Sequence, residues 1–159
     1  MAGPFNYSQA AEIAAAFSKH AVKYLFIGKS GAVLYGYPDT TQDADIFVAK
    51  SAENGRAIVR ALGELGFHLD PAAASEIEHG KDFVQLRDGP FDLDLVFAPD
   101  GIERFEDAAG RSHVFDGISV CNLDDIILSK EAAHRAKDRE TLPRLKAFRD
   151  WWVARHPGA

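Results

Sequence analysis

Hydrophobic positions switch between helical and strand periods along the chain. Over residues 8–20, Ala10, Ile13, Ala14 and Phe17 recur at helical spacing behind Ser8 as N-cap. Tyr24-Leu25-Phe26-Ile27 is a short apolar run that stops at Gly28 and reads as a buried strand. A short helix is expected over residues 31–35, ended by Gly36, with Pro38 preventing its continuation. Residues 43–49 alternate as a strand does: Asp43, Asp45 and Phe47 point one way, Ala44, Ile46 and Val48 the other. Ser51 caps a helix whose Ile58, Ala61, Leu62 and Leu65 form one stripe, closed by Gly66.

Phe67-His68-Leu69 predicts a strand, and Ala72-Ala73-Ala74 beyond Pro71 a mobile loop. Two further strands, over residues 82–87 and 91–97, flank the hairpin signal Asp88-Gly89-Pro90. In the second, Phe91, Leu93, Leu95 and Phe97 share a face opposite Asp92, Asp94 and Val96. A short helix is expected over residues 101–109, then a hairpin in which Val114-Phe115 and Ile118-Ser119-Val120 flank Asp116-Gly117. Asn122 caps a helix over residues 123–135. The last helix carries Leu142, Leu145, Phe148 and Trp152 to about residue 156, its start set by Asp138 or Thr141 with Pro143 in its first turn. The pattern predicts an α+β fold: a mixed sheet with helices packed on it and two C-terminal helices. No Gly-, Ser- or Pro-rich segment divides it, so one domain is expected over residues 1–159, with a core over about 24–121 and a helical part over about 122–156.

Composition narrows the function classes. The 159 residues are 47% hydrophobic and 26% charged, an ordinary globular balance. The net charge of −6 disfavours a general nucleic-acid coat protein and leaves room for a local basic site. Cys121 is alone, which excludes an internal disulfide and a cysteine zinc cluster, and a reducing, cytoplasmic setting is expected. No run of 18 apolar residues predicts a membrane span, and residues 1–6 do not read as a signal peptide.

Two features carry chemistry. Gly28-Lys29-Ser30 lies between a strand and a helix. A Walker A loop needs a glycine where Lys23 stands, so that reading fails on spacing. A small-residue turn at a helix start still exposes backbone N–H groups that suit phosphate, although a plain strand-to-helix turn needs the same glycine. The second feature is Asp43-Ala44-Asp45, whose carboxylates share a strand face. Like charges there call for a cation, and magnesium prefers oxygen ligands plus substrate phosphates; a solvated strand end is the alternative. Asp92 and Asp94 repeat the pattern, and three convergent carboxylates can hold two metal ions about 4 Å apart. Lys130 shares an apolar helix face with Leu123, Ile126, Ile127 and His134; it either snorkels or pairs with a carboxylate, or it reaches a phosphate. His134 reads as a core-edge residue, Arg135 and Asp138 as a tie between the last two helices, Trp152 as core and Trp151 as an exposed partner surface.

These residues together resemble the nucleotidyltransferase superfamily with the polymerase-beta-like fold, especially its small bacterial, toxin–antitoxin-associated members. The resemblance covers residues 24–145. It rests on Ile27-Gly28-Lys29-Ser30, on Asp43-Ala44-Asp45 about a dozen residues later, on Phe91-Asp92-Leu93-Asp94-Leu95-Val96, and on Leu123–Lys130 with Arg135 and Asp138. It departs from the family where Lys29 replaces a second glycine and where Asp39 follows Pro38 in place of an arginine. The resemblance implies a Mg²⁺-dependent enzyme, with Mn²⁺ as a substitute, that moves an NMP from an NTP to an acceptor hydroxyl and releases pyrophosphate. Asp43 and Asp45 would bind both metals. Asp94 would bind the catalytic metal and accept the acceptor's proton, with Asp92 competing for that role. Gly28, Lys29, Ser30 and Lys130 would hold the nucleotide. The acceptor is left open among a protein side chain, an RNA end and a small hydroxylated compound. The competing expectation is a catalytically degenerate binding module with a cognate protein partner, as in one half of a toxin–antitoxin pair.

Overall fold

The computed structural model describes residues 3–133 and 135–158, with Lys137 as main chain only. Its elements run α1 (Tyr7–Lys19), β1 (Tyr24–Ile27), α2 (Gly28–Leu34), β2 (Ala44–Val48), α3 (Ala52–Leu65), α4 (Pro71–Glu78), β3 (Phe83–Leu86), β4 (Leu93–Val96), α5 (Phe105–Gly110), β5 (His113–Phe115), β6 (Ile118–Val120), α6 (Leu123–Ala133) and α7 (Ala136–Arg155). The fold is α+β. The six strands form one mixed sheet in the order β3-β4-β2-β1-β6-β5. β2 runs parallel to β4, and β1 parallel to β6; the other three pairings are antiparallel.

Register decides which side chains meet. Phe26 pairs with Ile46, Ile46 with Leu95, and Leu95 with Val84, and this apolar row lies on one face of the sheet. Phe17 of α1 meets Tyr24 on that face edge to face at 5.4 Å, and α1 packs on α3. Ala10, Ile13 and Phe17 thus join the same buried cluster as the strands, so α1 belongs to the core that the sequence pattern began at residue 24. One residue along each strand, Ile27, Asp45, Asp94 and Gln85 form the matching row on the opposite face. α2 covers part of that face beside β1 and β2, α6 packs on α2, and α7 packs on α6. Phe105 of α5 packs on Phe47 of the same face at 5.1 Å, and the aspartates lie between these covers.

Several local signals act as expected. The Ser51 side chain accepts from Asn54 N–H at the start of α3, and the Asn122 side chain accepts from Asp125 N–H at the start of α6. Asp116 and Gly117 have φ of 51° and 81°, the two left-handed positions of a tight hairpin turn.

Five expectations are corrected. α1 is capped by Asn6, which accepts from Gln9 N–H at 2.9 Å, and Ser8 lies inside the helix. α2 starts at Gly28, three residues before the expected helix. Residues 67–69 are not a strand. Gly66 is left-handed at φ 101°, and the Phe67 N–H returns to the Leu62 carbonyl, so the apolar run finishes the C-terminus of α3. Phe67 is then buried against the Phe91 ring. The Ala72–Ala74 segment is helical in α4, because Asp70 caps it by accepting from Ala73 N–H and Pro71 occupies the first helical turn. Pro143 lies well inside α7, where it has no N–H to offer the Arg139 carbonyl. His134 lies outside the described residues.

Candidate functional site

Parallel pairing of β2 and β4 sets Asp45 directly opposite Asp94. Asp43 precedes β2 by one residue and joins them. Carboxylate oxygens of Asp43, Asp45 and Asp94 lie within 4.8 Å of one another, a group that could hold a metal ion among the described residues. Asp94 is 5% exposed. Burial, then the charges of Asp94 and Asp43, hold the Asp45 carboxyl well above the usual carboxylate range, and Lys130 opposes that rise. Asp92 is outside the trio; its carboxylate accepts from the Gln42 amide at 3.3 Å. Of the two candidates for third carboxylate, geometry favours Asp94.

The trio forms one wall of a cleft of about 570 Å³, within the usual range for a small-molecule site. Gly28, Lys29, Lys130, Arg135 and Thr141 line it as well. Gly28 has φ of 64°, and a Cβ built there would lie 2.5 Å from Asp45 Oδ2. Glycine is needed twice over: for the left-handed backbone, and for the approach of the main chain to a carboxylate of the trio.

The other residues of the turn are placed less simply. Ser30 is fully buried, and its hydroxyl donates to the Ile27 carbonyl and accepts from Asp45 N–H, each at 3.0 Å. It fastens α2 to β2 and fixes Asp45, and it does not line the cleft. Lys29 does line the cleft, with its ammonium 3.2 Å from Asp39. The two residues at which the sequence departs from the resemblance thus pair with each other. The Lys130 side chain is 11% exposed and takes the carboxylate pairing expected as one alternative: its ammonium lies 3.4 Å from Asp138, at a position that lines the cleft. Burial lowers its pKa, and Asp138 and Asp45 oppose the fall. Arg135 donates to Asp138 at 2.7 Å, so one buried carboxylate holds both cations and joins α6 to α7.

Arg87 is the site residue that sequence reasoning missed. Its guanidinium donates to Asp94 at 2.6 Å and reaches Asp43 at 3.5 Å. Strand period was the available signal, since Phe83, Gln85 and Arg87 alternate onto the face that carries Asp94. Phe83, 44% exposed, also lines the cleft.

The arrangement sets an acidic wall on the sheet against a wall containing Lys29, Lys130 and Arg135. It can bind a hard cation and a polyanion side by side. No helix among the described residues is long and apolar enough to cross a membrane. No protein-family model matches the sequence, and no curated protein matches it.

Proposed function

We propose that the chain is a Mg²⁺-dependent nucleotidyltransferase that moves an NMP from an NTP to an acceptor hydroxyl. The observation that carries this reading is the convergence of Asp43, Asp45 and Asp94 within 4.8 Å beside Gly28, whose missing side chain leaves the main chain against Asp45. The donor set is all carboxylate oxygen, which fits Mg²⁺ or Mn²⁺ and suits a softer metal poorly. Mg²⁺ bound by these three residues would supply positive charge to the phosphates at the point of attack.

The chain's own residues then have distinct tasks. Backbone N–H groups after Gly28, with Lys29 and Lys130, hold the β- and γ-phosphates. Asp94 accepts the proton as the acceptor oxygen bonds to the α-phosphorus. The bond from that phosphorus to the bridging oxygen breaks, and pyrophosphate leaves with the electron pair. Ser30 positions Asp45 through its N–H. The test is transfer of label from an α-³²P NTP with Mg²⁺ present, wild type against Asp43→Ala with Asp45→Ala. Label transfer that survives the double substitution sinks the reading.

One observation favours a second reading. Arg87 already spans Asp94 and Asp43, and Asp39 already engages Lys29. A site in which an arginine already engages two of the carboxylates and an aspartate already engages the lysine suits a module that binds nucleotide without turnover and acts through a cognate protein partner. Saturable NTP binding with no label transfer to any acceptor would select it.

A further inference from the structure

Arg87 and Asp92 stand at the mouth of the hairpin between β3 and β4. The last paired residues there are Leu86 and Leu93, and Arg87 and Asp92 come one step beyond them. Period two puts both on the face of Gln85 and Asp94. A residue directly across the pair is the ordinary partner of a charged side chain on a sheet, and a diagonal one lies within reach of a long side chain. Arg87 takes the diagonal. It donates to Asp94 at 2.6 Å and reaches Asp43 at 3.5 Å. Asp92 accepts from the Gln42 amide at 3.3 Å and, among the described residues, pairs with no cation.

The Arg87 contact differs from a structural ion pair in two ways. Its two terminal nitrogens go to two different carboxylates, whereas Arg111 gives two nitrogens to Asp125 alone. Arg87 thus bridges two of the three residues that a metal ion would bridge. A guanidinium also stays charged at any working pH. A divalent ion therefore cannot take these oxygens by stripping a proton from Arg87; the side chain itself must move. It has room to do so, since it is 38% exposed against 6% for the Asp94 side chain. The charges of Asp94, Asp43 and Asp92 all act on Arg87 to favour its cationic form.

We propose that Arg87 is a two-position counter-ion: a divalent cation entering the trio drives it off Asp94, and Asp92 receives it. Guanidinium and metal compete for the oxygens of Asp94 and Asp43, so Arg87 sets the concentration at which the metal binds. Asp92 lowers that threshold by giving the displaced charge a partner. The exchange gives a task to the fourth aspartate, which lies outside the trio. It rests on the trio as a metal site and does not require NMP transfer.

The test is Mn²⁺ titration calorimetry on the full chain, at low ionic strength and without nucleotide. Arg87→Ala should bind Mn²⁺ about 10-fold more tightly than wild type, the scale of one coupled charge pair. Arg87→Gln, which keeps most of the stem and loses the charge, should do the same. Asp92→Asn should weaken binding about 3-fold, and much less in an Arg87→Gln background, where no guanidinium needs a second partner. Arg60→Ala, exposed on α3, removes the same charge elsewhere and should change nothing. In EDTA, Arg87→Gln should melt below wild type, and saturating Mn²⁺ should narrow that gap. A fixed staple between β3 and β4 would leave the gap as it was.

Arg87 variants that bind Mn²⁺ like wild type or more weakly would overturn the proposal. So would an Asp92→Asn effect of equal size in both backgrounds, or a gain matched by Arg60→Ala, which would reduce the effect to net charge. Mn²⁺ binding by none of these proteins removes the metal site and the proposal with it. The expected order of affinities without label transfer keeps the exchange and removes the transferase reading. Label transfer with Mn²⁺ affinity indifferent to Arg87 does the reverse.

Discussion

Asp94 and Asp125 are equally buried, at 5% and 4% exposed, and each is gripped by one arginine. Asp125 takes a bidentate grip from Arg111, at 2.7 and 3.0 Å, and stands in the first turn of α6, where the helix end favours negative charge. One carboxylate meets one guanidinium, and charge is balanced. Asp94 takes a single bond from Arg87 while Asp43 and Asp45 crowd the same space. Asp94 and Asp43 share that guanidinium with Asp45 crowded beside them, and Lys130, the next cation, is already paired with Asp138. Burial and an arginine partner therefore do not separate the two aspartates; excess negative charge facing a cleft does.

The largest expected effect separates the two sites by activity. Asp45→Asn and Asp94→Asn should each lower NMP transfer by about 10²–10³-fold, the scale for losing a group that stabilises developing charge. Asp92→Asn should only reduce transfer, since Asp92 lies outside the trio. Both trio variants should keep or gain thermal stability, because each removes like-charge repulsion. If Asp94→Asn unfolds the protein as readily as a change at Asp125 does, the contrast collapses.

Asp125 should respond in the opposite way. Arg111→Ala leaves a buried carboxylate without its partner and should cost about 3 kcal/mol in urea unfolding. Transfer per folded molecule should be unchanged. A normal midpoint with lost activity would make Arg111 part of the site.

Gly28→Ala tests the boundary between structure and chemistry. The left-handed backbone alone should cost about 1–2 kcal/mol. The added methyl would also push on Asp45 Oδ2, so Mn²⁺ affinity, read by titration calorimetry, should fall further than stability does. Equal losses would reduce Gly28 to a turn residue.

The sequence made this contrast half legible. Period two placed Asp43, Asp45 and Asp94 on strand faces, and β2 beside β4 then brought them together. Caps at Ser51 and Asn122 and the Asp116-Gly117 turn were readable because each is a local hydrogen-bonding or φ requirement. Residues 67–69 and 72–74 were misread because an apolar triplet and an alanine triplet have no period of their own. What decided them was the Gly66 terminus and the Asp70-Pro71 start on either side. Arg87 followed the period-two alternation of β3 and was overlooked, whereas the inward turn of Ser30 depends on its contact with Asp45 of the next strand, which local pattern does not encode.

Lys29 and Asp39 give the smallest and most diagnostic effect. Their 3.2 Å pair stands at the cleft rim, each partner about a quarter exposed, so it adds little to stability. Its consequence is for the ligand, because an ammonium engaged by Asp39 is less available to a phosphate. Lys29→Ala should raise the NTP dissociation constant about 10-fold, the equivalent of about 1.4 kcal/mol. Asp39→Ala should act with the opposite sign, freeing Lys29 and lowering that constant a few-fold. In a Lys29→Ala background the same Asp39 change should have much less effect, since the cation it releases is gone; the double-mutant cycle reads that coupling directly. A weakening by Asp39→Ala as large as that by Lys29→Ala would mean that Asp39 aims the lysine rather than restrains it. No response to either change would place Lys29 outside nucleotide binding and leave Lys130 and Arg135 as the phosphate-facing cations of the cleft.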